Sequence, residues 1–289
     1  MSYRPNPRPT TPTASTPARR GRRTVLLTGA VAALLAAAAA GPAAAAAGTR
    51  TTATTPPGQA RLTTAVLDLD HPDRSPQVRG EDVPYDTASI IKVDILATLL
   101  LQAQDAGRGL TQQELTWATA MIEHSDNDAA TALWRQIGQA SGLETANKRL
   151  GLSATVGGSG GKWGLTQTTA TDQIRLLHAV FADGGTSSSS ASALTTTSQS
   201  YIRTLMTRIA AGQSWGVSAA SDAGWALKNG WLQRSTTGLW DINSVGEVTS
   251  GTHHYLVAVL SNGNASMAGG IAAVESAART AVSSAQTAG

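Results

Sequence analysis

The stretch ASIIKVDILATLLLQ, Ala88–Gln102, is an almost wholly apolar run with one lysine near its start. Ser89 and Lys92 stand three residues apart, so a helix beginning here sets their side chains side by side on one face. Lysine is scarce in this chain, occurring at Lys92, Lys148, Lys162 and Lys228 alone. Burying one is costly, because desolvation penalises the charged form and lowers its pKa by up to ~3–5 units from about 10.4. Lys92 therefore either reaches water from the first turn or serves chemistry that needs a neutral amine. The free N–H groups of a first helical turn favour negative charge developing on Ser89. Together these point to a serine activated by a lysine.

Outward from that helix, the chain reads as strand, helices, strands and helix. RLTTAVLDLD, Arg61–Asp70, alternates and is β-branched, which predicts a strand. Turn-rich sequence follows to Pro84, and Gly107 and Gly109 end the Ser89 helix. Thr111 and Glu114 form a capping box for a second helix. Asn127–Ile137, Leu143–Leu150, Thr171–Phe181 and Tyr201–Ala211 read as further helices, with an irregular glycine-rich segment at Gly151–Gly164. Thr186–Ser200 has eleven Ser or Thr in fifteen residues and reads as a surface loop. Gly224–Leu232, Leu239–Val248 and His253–Leu260 are strand-like, and Ser266–Ala285 is an alanine-rich helix. The expected fold is α/β in content, of the α+β type. An antiparallel sheet is drawn from both chain ends and flanked by helices, with a helical insert over about residues 89–211.

Two short motifs join the Ser89–Lys92 pair. Ser125-Asp126-Asn127 follows the capped second helix, and Lys228-Asn229-Gly230 lies in the first late strand. In order and context, the three resemble the S-x-x-K, S-D-N and K-T-G motifs of class A β-lactamases and penicillin-binding proteins. The resemblance spans roughly residues 60–285. It implies a serine hydrolase with Ser89 as nucleophile, forming an acyl-enzyme with β-lactams or D-alanyl peptide-like amides. Lys92 is then base or proton relay, Ser125 passes a proton to the leaving nitrogen, and Lys228 tunes Ser125 and attracts a substrate carboxylate. It further implies that Asn127 binds the substrate's side-chain amide, that Asp126 orients its loop, and that the N–H groups of Ser89 and Trp231 form an oxyanion hole. Asn229 and Gly230 are expected to line the substrate, although Asn229 replaces the usual Thr or Ser and removes a hydroxyl contact.

One departure is larger. The family's deacylating glutamate lies on a loop after S-D-N, but here no Asp or Glu occurs between Glu144 and Asp172. Thr166–Thr169 resembles the segment just after that loop, which places the loop near Gly151–Gly164, shortened and without a carboxylate. Acylation is therefore expected, and class-A-type deacylation is not. The alternatives are a D,D-peptidase or penicillin-binding protein, and a non-catalytic cell-wall binding protein of the same fold.

Other signals carry less. A second S-x-x-K, Ser159–Lys162, lies in glycine-rich sequence without helical support. Gly212–Gly216 and Gly157–Gly161 match G-x-S-x-G but lack its strand-to-helix setting. The five histidines show no ligand spacing, and His253-His254 reads as a solvated pair, so neither metal nor organic cofactor is expected. Trp163, Trp215 and Trp231 lie near motif segments, where ordinary packing is the first expectation. Arg234 reads as a surface residue.

The N-terminus reads as an export signal over residues 1–47. Arg22 and Arg23, twin-arginine-like, precede the apolar Val25–Ala40, with cleavage expected near Ala47. A polar tether over residues 48–60 follows. Export localises the protein to the extracellular space or cell wall, without a stable membrane span. Removing 1–47 removes six arginines and no acid, leaving 16 Lys+Arg against 19 Asp+Glu. The mature charge is thus −3, which argues against nucleic-acid binding. The absence of cysteine excludes disulfides. A monomer acting on a small β-lactam or peptidoglycan-like substrate is the expected form.

Overall fold

The computed structural model describes residues 60–71, 75–182 and 192–287. The expected export signal and tether, residues 1–60, lie outside these residues, apart from Ala60. Strands are β1 Arg61–Asp68, β2 Gln77–Arg79, β3 Tyr85–Asp86, β4 Gln167–Thr168, β5 Trp225–Gln233, β6 Trp240–Ser250 and β7 His253–Asn264. Helices are α1 Ile91–Asp105, α2 Gln112–Glu123, α3 Asn127–Gln136, α4 Gln139–Leu150, α5 Ala170–Phe181, α6 Thr196–Met206 and α7 Met267–Thr287.

The main sheet is antiparallel in the order β2-β1-β7-β6-β5, and β3 pairs separately with β4. β1 is thus held between the first short strand and a strand from the far end of the chain, as the α+β reading requires. Successive residues of β1 and β7 are buried, so both faces are covered. α5 and α7 each pack against β1, β6 and β7. α2, α3, α4 and α6 surround α1, which is buried on nearly every side. No described helix is long and apolar enough to cross a membrane.

The expected elements are found with shifted ends. The capping box at Thr111 and Glu114 is complete, each side chain accepting from the other residue's N–H. α4 starts four residues before Leu143, because Gly138 and Gln139 turn the chain through the left-handed region at φ 90° and 56°. The larger correction concerns Thr186–Ser200. Residues 186–191 lie outside the described set, but Thr196–Ser200 is helix, with Thr195 accepting from Ser198 N–H as N-cap. Serine and threonine favour caps as strongly as loops, so composition concealed a helix start.

Alongside Lys92, α1 buries Asp94, and neither carboxylate oxygen has a hydrogen bond among the described residues. Burial pushes Asp94 up to about 7, opposed by the nearby Asn147 amide and reinforced by Asp172. The folded state therefore holds a proton that the unfolded chain releases between pH 3.8 and about 7, and stability falls as pH rises through that window. Asp94→Asn will match the parent near pH 4 and exceed its stability by about 2–4 kcal/mol above pH 7. Urea unfolding at both pH values measures the difference.

Candidate active site

Ser89 lies in a 3₁₀ turn, Ala88–Ile90, that leads into α1. Ala88 stands at φ 46°, a left-handed conformation that costs a non-glycine residue roughly 1–2 kcal/mol. Contacts from three directions hold the turn. Thr87 N–H donates to Thr166 O at 2.8 Å, and Asn243 Nδ2 donates to Asp86 O and Thr87 O at 2.9 and 3.1 Å. On the third side Gly230 of β5 presses against it. A Cβ built there would lie 2.7 Å from Ser89 N, 2.7 Å from Thr87 O and 2.9 Å from Ile90 N. Only glycine permits that approach.

The edge strand β5 also supplies outward N–H groups. Arg234 N donates to Leu239 O and Thr249 N to Gly224 O, so even-numbered residues of β5 bond to β6. Antiparallel alternation then turns the N–H of Asn229 and Trp231 to the open edge. Ser89 N and Trp231 N–H thus belong to neighbouring backbone segments, where an oxyanion hole requires them.

Ser125 is the centre of the polar network. Its φ of 56° is another left-handed, non-glycine position, and Asp126 caps α3 by accepting from Ala129 N at 2.7 Å. Lys92 is fully buried, and its Nζ donates to Ser125 O at 2.6 Å, Ser125 Oγ at 3.0 Å and Asn127 Oδ1 at 2.8 Å. Lys228, equally buried, donates from Nζ to Ser125 Oγ and Asn229 O, both at 3.0 Å. Two lysines therefore converge on one hydroxyl. Burial lowers Lys92 to about 7, with Asp126 opposing, and holds Lys228 well below its ordinary value, with the Lys92 charge adding to the effect. An amine with a pKa near 7 has a lone pair available at neutral pH.

The structure corrects two expectations. Ser89 Oγ, half-buried, makes no hydrogen bond among the described residues, although the helix spacing predicts Lys92 beside it. All three N–H directions of Lys92 are taken by Ser125 and Asn127, which leaves none for Ser89. Asn229 does not offer its amide to a substrate. It is buried, and its Nδ2 donates to Gln213 O and Trp215 O, each at 2.7 Å. It ties β5 to the loop before it. Trp215 and Trp231, half-buried, face each other there with ring centroids 6.0 Å apart.

The loop after α4 presents Trp163 to the site. Lys92 Nζ sits 4.9 Å from the centre of its ring, and Trp163 Nε1 donates to Thr131 Oγ1 at 3.1 Å. The neighbouring carboxylates are engaged elsewhere. Asp172 accepts from Ala154 N, Thr155 Oγ1 and Arg175, while Asp86 accepts from Gln167 and pairs with Arg234. Arg234 is thus an ion-pair partner, not a free surface cation. Ser159 and Lys162 lie exposed in a turn, away from helical support. From sequence, Trp163 could wall a cleft, with packing the first expectation; its place in the expected glutamate loop was the signal for the former.

This fold is shared with solved β-lactamases and with PBP-A. A glutamate-for-leucine mutant of PBP-A, solved as its acyl-enzyme complex with penicillin G, superposes with a TM-score of 0.64 at 20% identity, covering 80% of this chain and 92% of that one. TLA-1 extended-spectrum β-lactamase gives 0.65 at 16% identity, covering 78% and 94%. A β-lactamase from Chitinophaga pinensis gives 0.65 at 14%, covering 79% and 95%. No curated protein matches the chain. The beta-lactamase enzyme family matches residues 113–285, more than half of the sequence, and the chain belongs to that family. The matched span holds Ser125–Asn127 and Lys228–Gly230 but begins after Ser89 and Lys92.

Proposed function

We propose that this is an exported serine acyl-transfer enzyme of penicillin-binding character. It opens a β-lactam or D-alanyl-peptide amide on Ser89 and releases the acyl group slowly. The observation that carries this is the Ser125 hydroxyl held by two buried lysines, with an aromatic ring, not a carboxylate, over Lys92. Neutral Lys92 takes the Ser89 proton once substrate binding frees one of its bonds to the Ser125 wall. Ser89 Oγ then adds to the carbonyl carbon, and the Ser89 and Trp231 N–H groups stabilise the oxyanion. Ser125 hands its proton to the departing nitrogen and recovers one from the lysines. Lys228 and the open edge of β5 receive a substrate carboxylate. Hydrolysis of the ester needs a second base beside a water, and the 151–169 loop supplies none. The protein acts as a monomer outside the cytoplasm.

Time-resolved intact mass of the protein with a penicillin tests this reading, with Ser89→Ala beside it. The expected result is a Ser89-dependent adduct that persists. Rapid hydrolysis without an adduct would overturn slow release, while saturable binding without a mass change, retained in Ser89→Ala, would favour the non-catalytic reading. The labelling rate should rise with pH through about 7, as Lys92 loses its proton, and fall about tenfold per pH unit well below it.

A further inference from the structure

Away from the cleft, pairing of β1 with β7 assembles a second group of reactive side chains. The ladder sets Asp68 opposite Tyr255 and extends one bond further, Leu69 N to His254 O at 2.8 Å. This brings Asp68, Asp70 and His71 against His253 and His254, residues from opposite ends of the domain. Asp68 is buried, and its Oδ1 accepts from Asp70 N at 3.0 Å. Its Oδ2 is thereby turned toward two imidazoles, 2.8 Å from His71 Nδ1 and 3.5 Å from His253 Nδ1. Asp70 is oriented in the same way. His254 N donates to its Oδ2 at 2.7 Å, and that oxygen lies 3.4 Å from His254 Nδ1 and 3.9 Å from His253 Nδ1.

A carboxylate–histidine hydrogen bond accounts for His71 alone. His253 Nδ1 is shut off from solvent, has no hydrogen-bond partner among the described residues, and is aimed at an oxygen His71 already occupies. The His71 and His253 rings stack with centroids 5.5 Å apart, and the ligand atoms of Asp68, His71 and His253 all lie within 4.8 Å of one another. In a tetrahedral site with bonds of ~2.0–2.1 Å, neighbouring ligand atoms are about 3.3 Å apart. The separations from Asp68 Oδ2 bracket that edge.

We infer that Asp68, His71 and His253 form a binding site for one divalent transition-metal ion of the zinc type, with Asp70 or a water as fourth ligand. Two imidazoles and a carboxylate suit zinc, cobalt, nickel or copper, whereas calcium and magnesium favour shells of oxygen. The backbone N–H groups of Asp70 and His254 act as the outer supports that fix such ligands. By strand register the site is five residues along and three strands across from Gly230, roughly 20 Å away. Its role is to clamp the open end of the β1–β7 pair, apart from any chemistry at Ser89.

Zinc chloride titrated calorimetrically into the chelator-treated full chain tests the site. Residues 1–59 contain no His, Cys, Asp or Glu, so that segment adds no competing ligands. The expected result is one ion per chain. His253→Ala and His71→Asn should each weaken binding at least ~10-fold, the latter keeping an amide donor for Asp68. A hundredfold excess over Kd should raise the parent's melting midpoint by about 5–10 °C and leave both variants unmoved. His124→Ala, at an exposed position, should behave as the parent. Absence of saturable uptake, or uptake undiminished in both folded variants, overturns the inference.

Discussion

Trp163→Glu will convert a persistent Ser89 adduct into turnover, raising the rate of adduct loss by about 10²-fold or more. The position is set by structure. Trp163 is held by its bond to Thr131 and lies over Lys92, and a Cβ built on the next residue, Gly164, would lie 3.9 Å from the Cα of Ala88, so residue 163 sits beside both Lys92 and the nucleophile turn. An indole there excludes water and has no lone pair to accept its proton. A glutamate both opens the space and supplies the base. It will also raise the Lys92 pKa from about 7, because a carboxylate favours the ammonium, and so move the acylation midpoint to higher pH. Trp163→Gln opens similar space without a base and serves as the control. Equal release from both variants would show that ring removal, not general-base chemistry, sets the rate.

Gly230→Ala will slow acylation by about 10²–10³-fold and will cost about 1–3 kcal/mol of folded stability. The added methyl meets three backbone atoms of the nucleophile turn at 2.7–2.9 Å, and backbone cannot rotate aside as a side chain can. Either β5 or the turn must move, and with it the spacing of the Ser89 and Trp231 N–H groups. Gly212→Ala, with nothing within 4 Å, should label at the parental rate. Labelling kinetics beside thermal melts separate a displaced site from a damaged fold. Normal labelling by Gly230→Ala would show that the oxyanion donors lie elsewhere.

The parts of this site that rest on local sequence were readable from it. The Ser89–Lys92 spacing, the Thr111 capping box and the Lys228-Asn229-Gly230 motif in the first late strand each follow from residue type and neighbours. What stayed hidden depends on tertiary placement. Nothing in Lys92's own helix says that its three donors will be taken by Ser125 and Asn127, or that Ser89 will be left without a bond. Asn229 reads as a motif variant until the 213–215 loop arrives to accept its amide. His71 and His253 have no common spacing because a strand ladder, not a helix turn, brings them together.

That ladder also sets when the molecule comes into being. Arg61–Asp68 leaves the ribosome early, yet its long partner, His253–Asn264, is the last strand made among the described residues. Ser89, Lys92 and Ser125 exist well before Lys228 and Gly230, and for that interval they are side chains on an open chain. Closing so distant a pair is slow and cooperative, so the sheet and the cleft form in one late event. A chain interrupted before β7 would therefore be no weakened form of the protein, but an unfolded one with a silent serine.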